Sequence, residues 1–249
     1  MACSMQTETA RYRAETFALR HRNYWAHSIE GGFYIGGMAF LAPDTVLPPL
    51  VRDLGGPAWL IGFVPILMQL GVMLPPIFTA HRIERMHRVL PFLRVTGFFQ
   101  RLPYLIVGLA LVYWADRFPQ LVLTLAVLAP LFSGMCIGIS FGAWMEMIAR
   151  LIPPQRMASS WAVRCAVQAV IGLAAGWGVK EILAAWPGPP GYGTLHLVVF
   201  FFIVLSYLLF AMLREPREGA PPGAGGPRRT LRQNLQALPE ILRGDPGVA

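Results

Sequence analysis

His81-Arg-Ile-Glu-Arg-Met-His-Arg88 is a short, arginine-dense stretch set between two long apolar ones. Leu54 to Ala80, just before it, holds no charged side chain, and the apolar segment Val89 to Trp114 follows. A helix rising 1.5 Å per residue needs roughly 20 apolar residues to cross the hydrocarbon core of a bilayer. Two such runs joined by a basic loop predict a transmembrane helical hairpin. Short Lys/Arg-rich loops stay on the cytoplasmic side, so this loop sets the expected orientation of the rest.

Composition points the same way. The 249 residues are 55% hydrophobic and 14% charged, whereas a soluble domain carries about 25% charged residues. Mean hydropathy is +0.51. The net charge of +8 does not suggest nucleic acid. The arginines sit in loops and tails beside apolar spans, not on one basic face interleaved with aromatics. Cys3, Cys136 and Cys165 show no pairing or metal spacing, and the polar first 23 residues lack the apolar core of a cleavable signal peptide.

Read in order, residues 1–23 are a polar, arginine-bearing tail expected in the cytoplasm. The first span is predicted from about Trp25 to Val51. On one helix Glu30, Tyr34, Gly37, Leu41 and Asp44 share a face, with the two carboxylates roughly 21 Å apart along the axis. Arg52-Asp53-Leu-Gly-Gly-Pro is an outer turn, and Gln69 is the one strongly polar side chain of span two. Span three carries Arg94, Gln100 and Arg101, the last about 20 Å along the helix from Arg88 and too deep to snorkel easily.

Span four, about Gln120 to Met145, holds Gly134, Gly138 and Gly142, a doubled small-xxx-small spacing that admits a close neighbour helix. Glu146 and Arg150 mark its inner exit. Span five, about Ala158 to Ala185, has Arg164 and Gln168 one turn apart, then Gly172 and Gly176. Span six, about Thr194 to Leu213, ends in Arg214-Glu-Pro216. The inner loops and both tails are arginine-rich, which predicts six spans with both termini cytoplasmic. The expected units are a tail over 1–23, a six-helix bundle over 24–213, and a linker over 214–249. That last segment includes a short amphipathic helix with Leu231, Leu235, Leu238 and Leu242 on one face.

Charges inside a membrane are costly and mark cavities or partners. Glu30 and Asp44 therefore read either as partners of an arginine on span three or five, or as lining or gating groups of a cavity. Ser133 and Ser140 share a face of span four and can line a cavity or simply pack. His81, Glu84 and His87 drift off a common helical face, so no metal is expected. The chain has no H-E-x-x-H, G-x-S-x-G or paired-acid motif at helical spacing. Neither catalysis nor a cofactor is expected.

Ala80-His-Arg-Ile-Glu84-Arg85-Met-His87-Arg88 resembles the loop between helices two and three of the major facilitator superfamily, whose signature is roughly small-x-x-x-Asp-Arg-x-Gly-Arg. Glu84 stands for the acid, Arg85 and Arg88 match the basic positions, and His87 replaces the glycine. Gly37 to Gly56, Trp144-Met-Glu146, Ile152-Pro-Pro-Gln-Arg156 and Arg214-Glu-Pro216 are similar to that family's landmarks around helices one and four to six. The chain departs from the pattern in lacking an intramembrane arginine on span four and a Gly-Pro pair on span five.

The resemblance implies an all-α membrane protein of six helices arranged as two inverted three-helix repeats, the first half of a twelve-helix transporter. It implies that spans one and four line a central cavity and that span three, with Arg101, supports the bundle. The candidate cavity or gating residues are Glu30, Tyr34, Asp44, Gln69, Arg101, Ser133, Ser140, Glu146, Arg164 and Gln168. The expected function is the N-terminal half of a secondary transporter moving small solutes by alternating access in a bacterial inner membrane, with a second six-helix half as partner. A non-transporting six-helix module that packs against a partner or itself is the alternative.

Overall fold

The computed structural model describes residues 2–83 and 86–216, with backbone alone at 2–10, 12, 13, 80 and 81. Glu84, Arg85 and the amphipathic segment around Leu231–Leu242 lie outside the described residues. Eight α-helices follow one another: α1 (Ala2–Met38), α2 (Leu47–Asp53), α3 (Ala58–Met73), α4 (Pro76–Ile83), α5 (Leu90–Tyr113), α6 (Pro119–Leu151), α7 (Pro154–Ala185) and α8 (Pro189–Ala211). No strand occurs among the described residues.

Prolines set many of these boundaries. Helices α2, α5, α6, α7 and α8 all carry proline in their first two positions. There the missing N–H is an orphan in any case and the fixed φ favours the first turn. Pro75 and Pro76 likewise separate α3 from α4.

Span one is not a single helix. α1 passes into a 3-10 turn over Ala39–Leu41, and Ala42 turns to φ −53° and ψ 120°. Pro43 has no N–H to continue the ladder and pushes the residue before it out of the helical region. The backbone recovers through Val46 N–H to Ala42 O (2.9 Å) and restarts as α2. Asp44 therefore lies exposed in the turn, off the face that carries Glu30 and Tyr34.

Five helical segments are long and apolar enough to cross a membrane: Ala58–Thr79, Leu90–Tyr113, Pro119–Leu151, Pro154–Ala185 and Pro189–Ala211. The chain is thus an all-helical, multi-pass membrane protein. α1 is not among the five: its last 18 residues, His21 to Met38, include Arg22, Asn23, His27 and Glu30. It is nonetheless held inside the bundle, packed along α7 and α8.

The remaining large contacts are α3 on α6, α5 on α6 and α5 on α8. Lipid tails are as apolar as leucine, so these contacts rest on close van der Waals fit and not on removal from water. The glycines of α6 supply that fit. A Cβ on Gly134 would stand 2.5 Å from Met68 O, and one on Gly138 would stand 2.6 Å from Val72 O and 2.7 Å from Gly71 O. The small-residue stripe of span four is thus consumed within the chain, against span two.

Polar groups clamp one end of the bundle. The buried Glu215 carboxylate accepts the Val89 and Leu90 N–H groups, each at 3.0 Å, which caps the orphan donors that open α5. Arg150 Nη1 stands 3.7 Å from the same carboxylate, while its Nε donates to Glu146 at 2.8 Å and Nη1 to His87 O at 3.0 Å. Arg88 reaches Glu215 at 3.9 Å. Arg94 donates to Ala211 O and Leu213 O at the end of α8, and Asn23 exchanges hydrogen bonds with the backbone of Arg214.

Candidate functional site

A cavity of about 240 Å³ lies between α1, α5, α6, α7 and α8. Local helical spacing puts its polar groups on facing surfaces. Glu30 and Tyr34 are one turn apart on α1, Ser140 and Trp144 one turn apart on α6, and Gln100 with Arg101 comes from α5. Arg164 enters from α7. The rest of the wall is apolar, including Ile35, Ile137, Phe141 and Phe210.

Three charged side chains are buried here: Glu30 is 5% exposed, Arg101 7% and Arg164 6%. They are not equivalent. Arg101 is fully engaged, donating from Nε to Ile203 O (2.7 Å), from Nη1 to Gly97 O (2.5 Å) and from Nη2 to Ser206 Oγ (3.4 Å). Its guanidinium also lies over the Tyr207 ring at 4.9 Å and the Tyr34 ring at 5.6 Å. Such a group supports the bundle, with its charge offset by carbonyl dipoles and aromatic faces.

Arg164 is differently placed. Its Nη1 stands 3.9 Å from Glu30 Oε2, an ion-pair distance too long for a hydrogen bond. Nε and Nη1 are both buried and without a hydrogen-bond partner, as is Glu30 Oε2. The guanidinium packs against Trp144 and Trp161, 5.4 and 5.2 Å from ring centroids that stand 6.1 Å apart and nearly perpendicular to each other. Gly31 makes the space for it, since a Cβ there would overlap the guanidinium itself. Glu30 Oε1 accepts from Ser206 at 3.3 Å, and His27 Nδ1 lies 3.9 Å from Oε2.

The cavity therefore brings together Glu30, Tyr34, Arg101, Ser140 and Arg164. Ser140 bonds back to Cys136 O on its own helix (2.7 Å). Ser133 is turned away, fully buried and donating to Gln100 O on α5 at 2.9 Å. Gln69 is exposed on α3, Gln168 lies one turn beyond Arg164 without lining the cavity, and Glu146 belongs to the Glu215 clamp. Asp44 sits in the Pro43 turn.

Trp161, Ser206 and Tyr207 complete the site without having been singled out from the sequence. Gln100 and Trp144, noted there as a polar residue of span three and part of a landmark motif, were not named as site residues. Gln100 donates to the Tyr34 hydroxyl. Trp161 stands three residues before Arg164, so that one contact was open to a helical-spacing argument. Compared with protein-family models, curated proteins and solved structures, the chain finds no match in any of the three.

Proposed function

We propose that this chain is a six-helix half of a secondary transporter of the major facilitator type, carrying small solutes by alternating access against a second six-helix unit. The observation that carries the reading is the cavity in which Glu30, Arg101 and Arg164 are buried among apolar helices. Ionisable groups inside a membrane bundle mark solute or ion pathways. In this reading α1, despite its polar residues, is the first of six spans, α3 and α4 together form the second, and both termini face the cytoplasm.

The packing pattern supports inverted repeats. Exchanging spans one with four, two with five and three with six turns the α1–α7 contact into the α6–α3 contact. The same exchange turns α1–α8 into α6–α5 and leaves α5–α8 unchanged. That is the pattern expected of two three-helix repeats related by a two-fold axis in the membrane plane.

Single cysteines at Tyr34, Ile35 and Ser140 in a cysteine-free background test the pathway. With a membrane-impermeant thiol reagent, a solute pathway gives labelling at these positions from one side of the membrane. Protection of all three, while a cysteine at the exposed Asp53 turn reacts, would reject it.

A second reading is a non-transporting module that packs on a neighbour. It is favoured by Gly172 and Gly176 on α7, which meet nothing within 4 Å. They sit beside Leu173 and Trp177, 80% and 70% exposed. Crosslinking from Gly172→Cys in membranes tests whether that face is covered, and a crosslinked chain whose cavity cysteines stay protected from the thiol reagent favours the module.

A further inference from the structure

We infer that the cavity is an anion site, in which Arg164 receives the carboxylate or phosphate oxygens of a small amphipathic solute. Trp144 and Phe141 hold the apolar part of that solute. The inference deepens the transporter reading by naming a substrate class, but the binding it asserts is independent of transport.

Four observations point to it. First, Arg164 is the one cavity arginine with unused donors: its Nε and Nη1 are buried and unpartnered, while every nitrogen of Arg101 is bonded. A charge-assisted contact between guanidinium and carboxylate normally closes to about 2.7–2.9 Å. Glu30 stops at 3.9 Å, a neighbour of Arg164 and not a ligand to it. Second, the charges do not cancel. Two guanidinium groups face the single carboxylate of Glu30, leaving a positive charge over in an apolar bundle.

Third, the guanidinium is fixed where it stands. Trp144 and Trp161 pack against it and Gly31 leaves room for it, so it is already in place at the cavity wall. A planar fork of donors suits two oxygens of one anion, which a lysine ammonium does not match. Fourth, the remaining wall is apolar, with Ile35, Ile137, Phe141 and Phe210 around the polar end. A small, partly open, largely apolar site with few convergent polar groups suits a small molecule that is charged at one end only.

The purified full chain in phosphatidylcholine nanodiscs tests this by equilibrium dialysis of radiolabelled benzoate, with benzamide as the uncharged isostere. Saturable benzoate binding is expected, at least about tenfold tighter than benzamide, the loss of one charge-assisted contact. Arg164→Gln should abolish the preference, and Arg164→Lys should restore part of it. Repeating the titration in phosphatidylglycerol discs distinguishes the source of the anion. Unchanged affinity indicates a free solute, whereas a drop of about tenfold or more means that an anionic lipid headgroup competes for the same site.

No saturable benzoate binding in phosphatidylcholine, or benzamide binding equally well, overturns the inference. Full preference for benzoate in a folded Arg164→Gln protein overturns the assignment to Arg164. Should that variant fail to fold, the benzoate-to-benzamide ratio of the native chain still decides. Thiol labelling at Ser140 together with absent benzoate binding would leave the transporter reading standing and remove this one alone.

Discussion

Arg101 and Glu30 are joined through one hydroxyl: Ser206 accepts from Arg101 Nη2 at 3.4 Å and donates to Glu30 Oε1 at 3.3 Å. The acid that answers Arg101 is thus Glu30 on α1, and α8 supplies the bridge. Asp44, the other acid of the predicted first span, is exposed in its turn. The bridge ties α1, α5 and α8 together at the cavity.

Removing the bridge should be felt at both ends. Ser206→Ala leaves a buried guanidinium nitrogen and a carboxylate oxygen short of a partner, a loss of about 1–3 kcal/mol. Glu30→Ala, which removes the one carboxylate buried beside both arginines, should cost about 3–5 kcal/mol. Asp44→Asn should stay within about 0.5 kcal/mol, as surface changes do. Thermal unfolding of the detergent-solubilised protein reads all three, and an Asp44 variant as unstable as the Glu30 variant would refute the assignment.

Glu215 makes a second prediction. Its carboxylate accepts two backbone N–H groups and stands within ion-pair distance of Arg88 and Arg150. Glu215→Ala should cost about 2–4 kcal/mol, because charge-assisted bonds to buried donors are lost together. The exposed pair Lys180–Glu181, 3.7 Å apart, is the control. Its removal should change stability by about 1 kcal/mol or less. Equal effects at the two sites would contradict the clamp.

The glycines divide into two classes that substitution separates. Gly138→Ala forces a methyl group toward two carbonyl oxygens, at 2.6 and 2.7 Å, and should lower the unfolding temperature and the yield of folded protein. Gly172→Ala and Gly176→Ala enter open space and should be neutral or stabilising by up to about 1 kcal/mol, since alanine favours the helix. Loss of folded monomer from the α7 variants would mean that this face is covered after all.

Orientation gives a fourth. A reporter fused after Gly193 should behave as external, and one fused after Arg88 as cytoplasmic, because arginines concentrate at the Arg88, Arg150 and Arg214 ends. A cytoplasmic signal from the Gly193 fusion would invert the proposed topology or remove a span.

By itself the sequence determined that this is a helical membrane protein, where most of its helices begin, and which polar residues share a helix. The reason is physical: within lipid each backbone group must be satisfied inside its own helix, so length, apolar content and proline placement decide the elements locally. The Pro43 break was written there too, though the apolar run around it read as one span. Only the tertiary structure decided which faces meet. Ser206 reaches Glu30 across 176 positions and Glu215 reaches Val89 across 126. Hydropathy cannot rank helix faces when the surrounding lipid is as apolar as the core. The rotation of each helix came from glycine contacts such as Gly138 on Gly71, and those rotations separated Arg101, bonded on every side, from Arg164, with donors to spare.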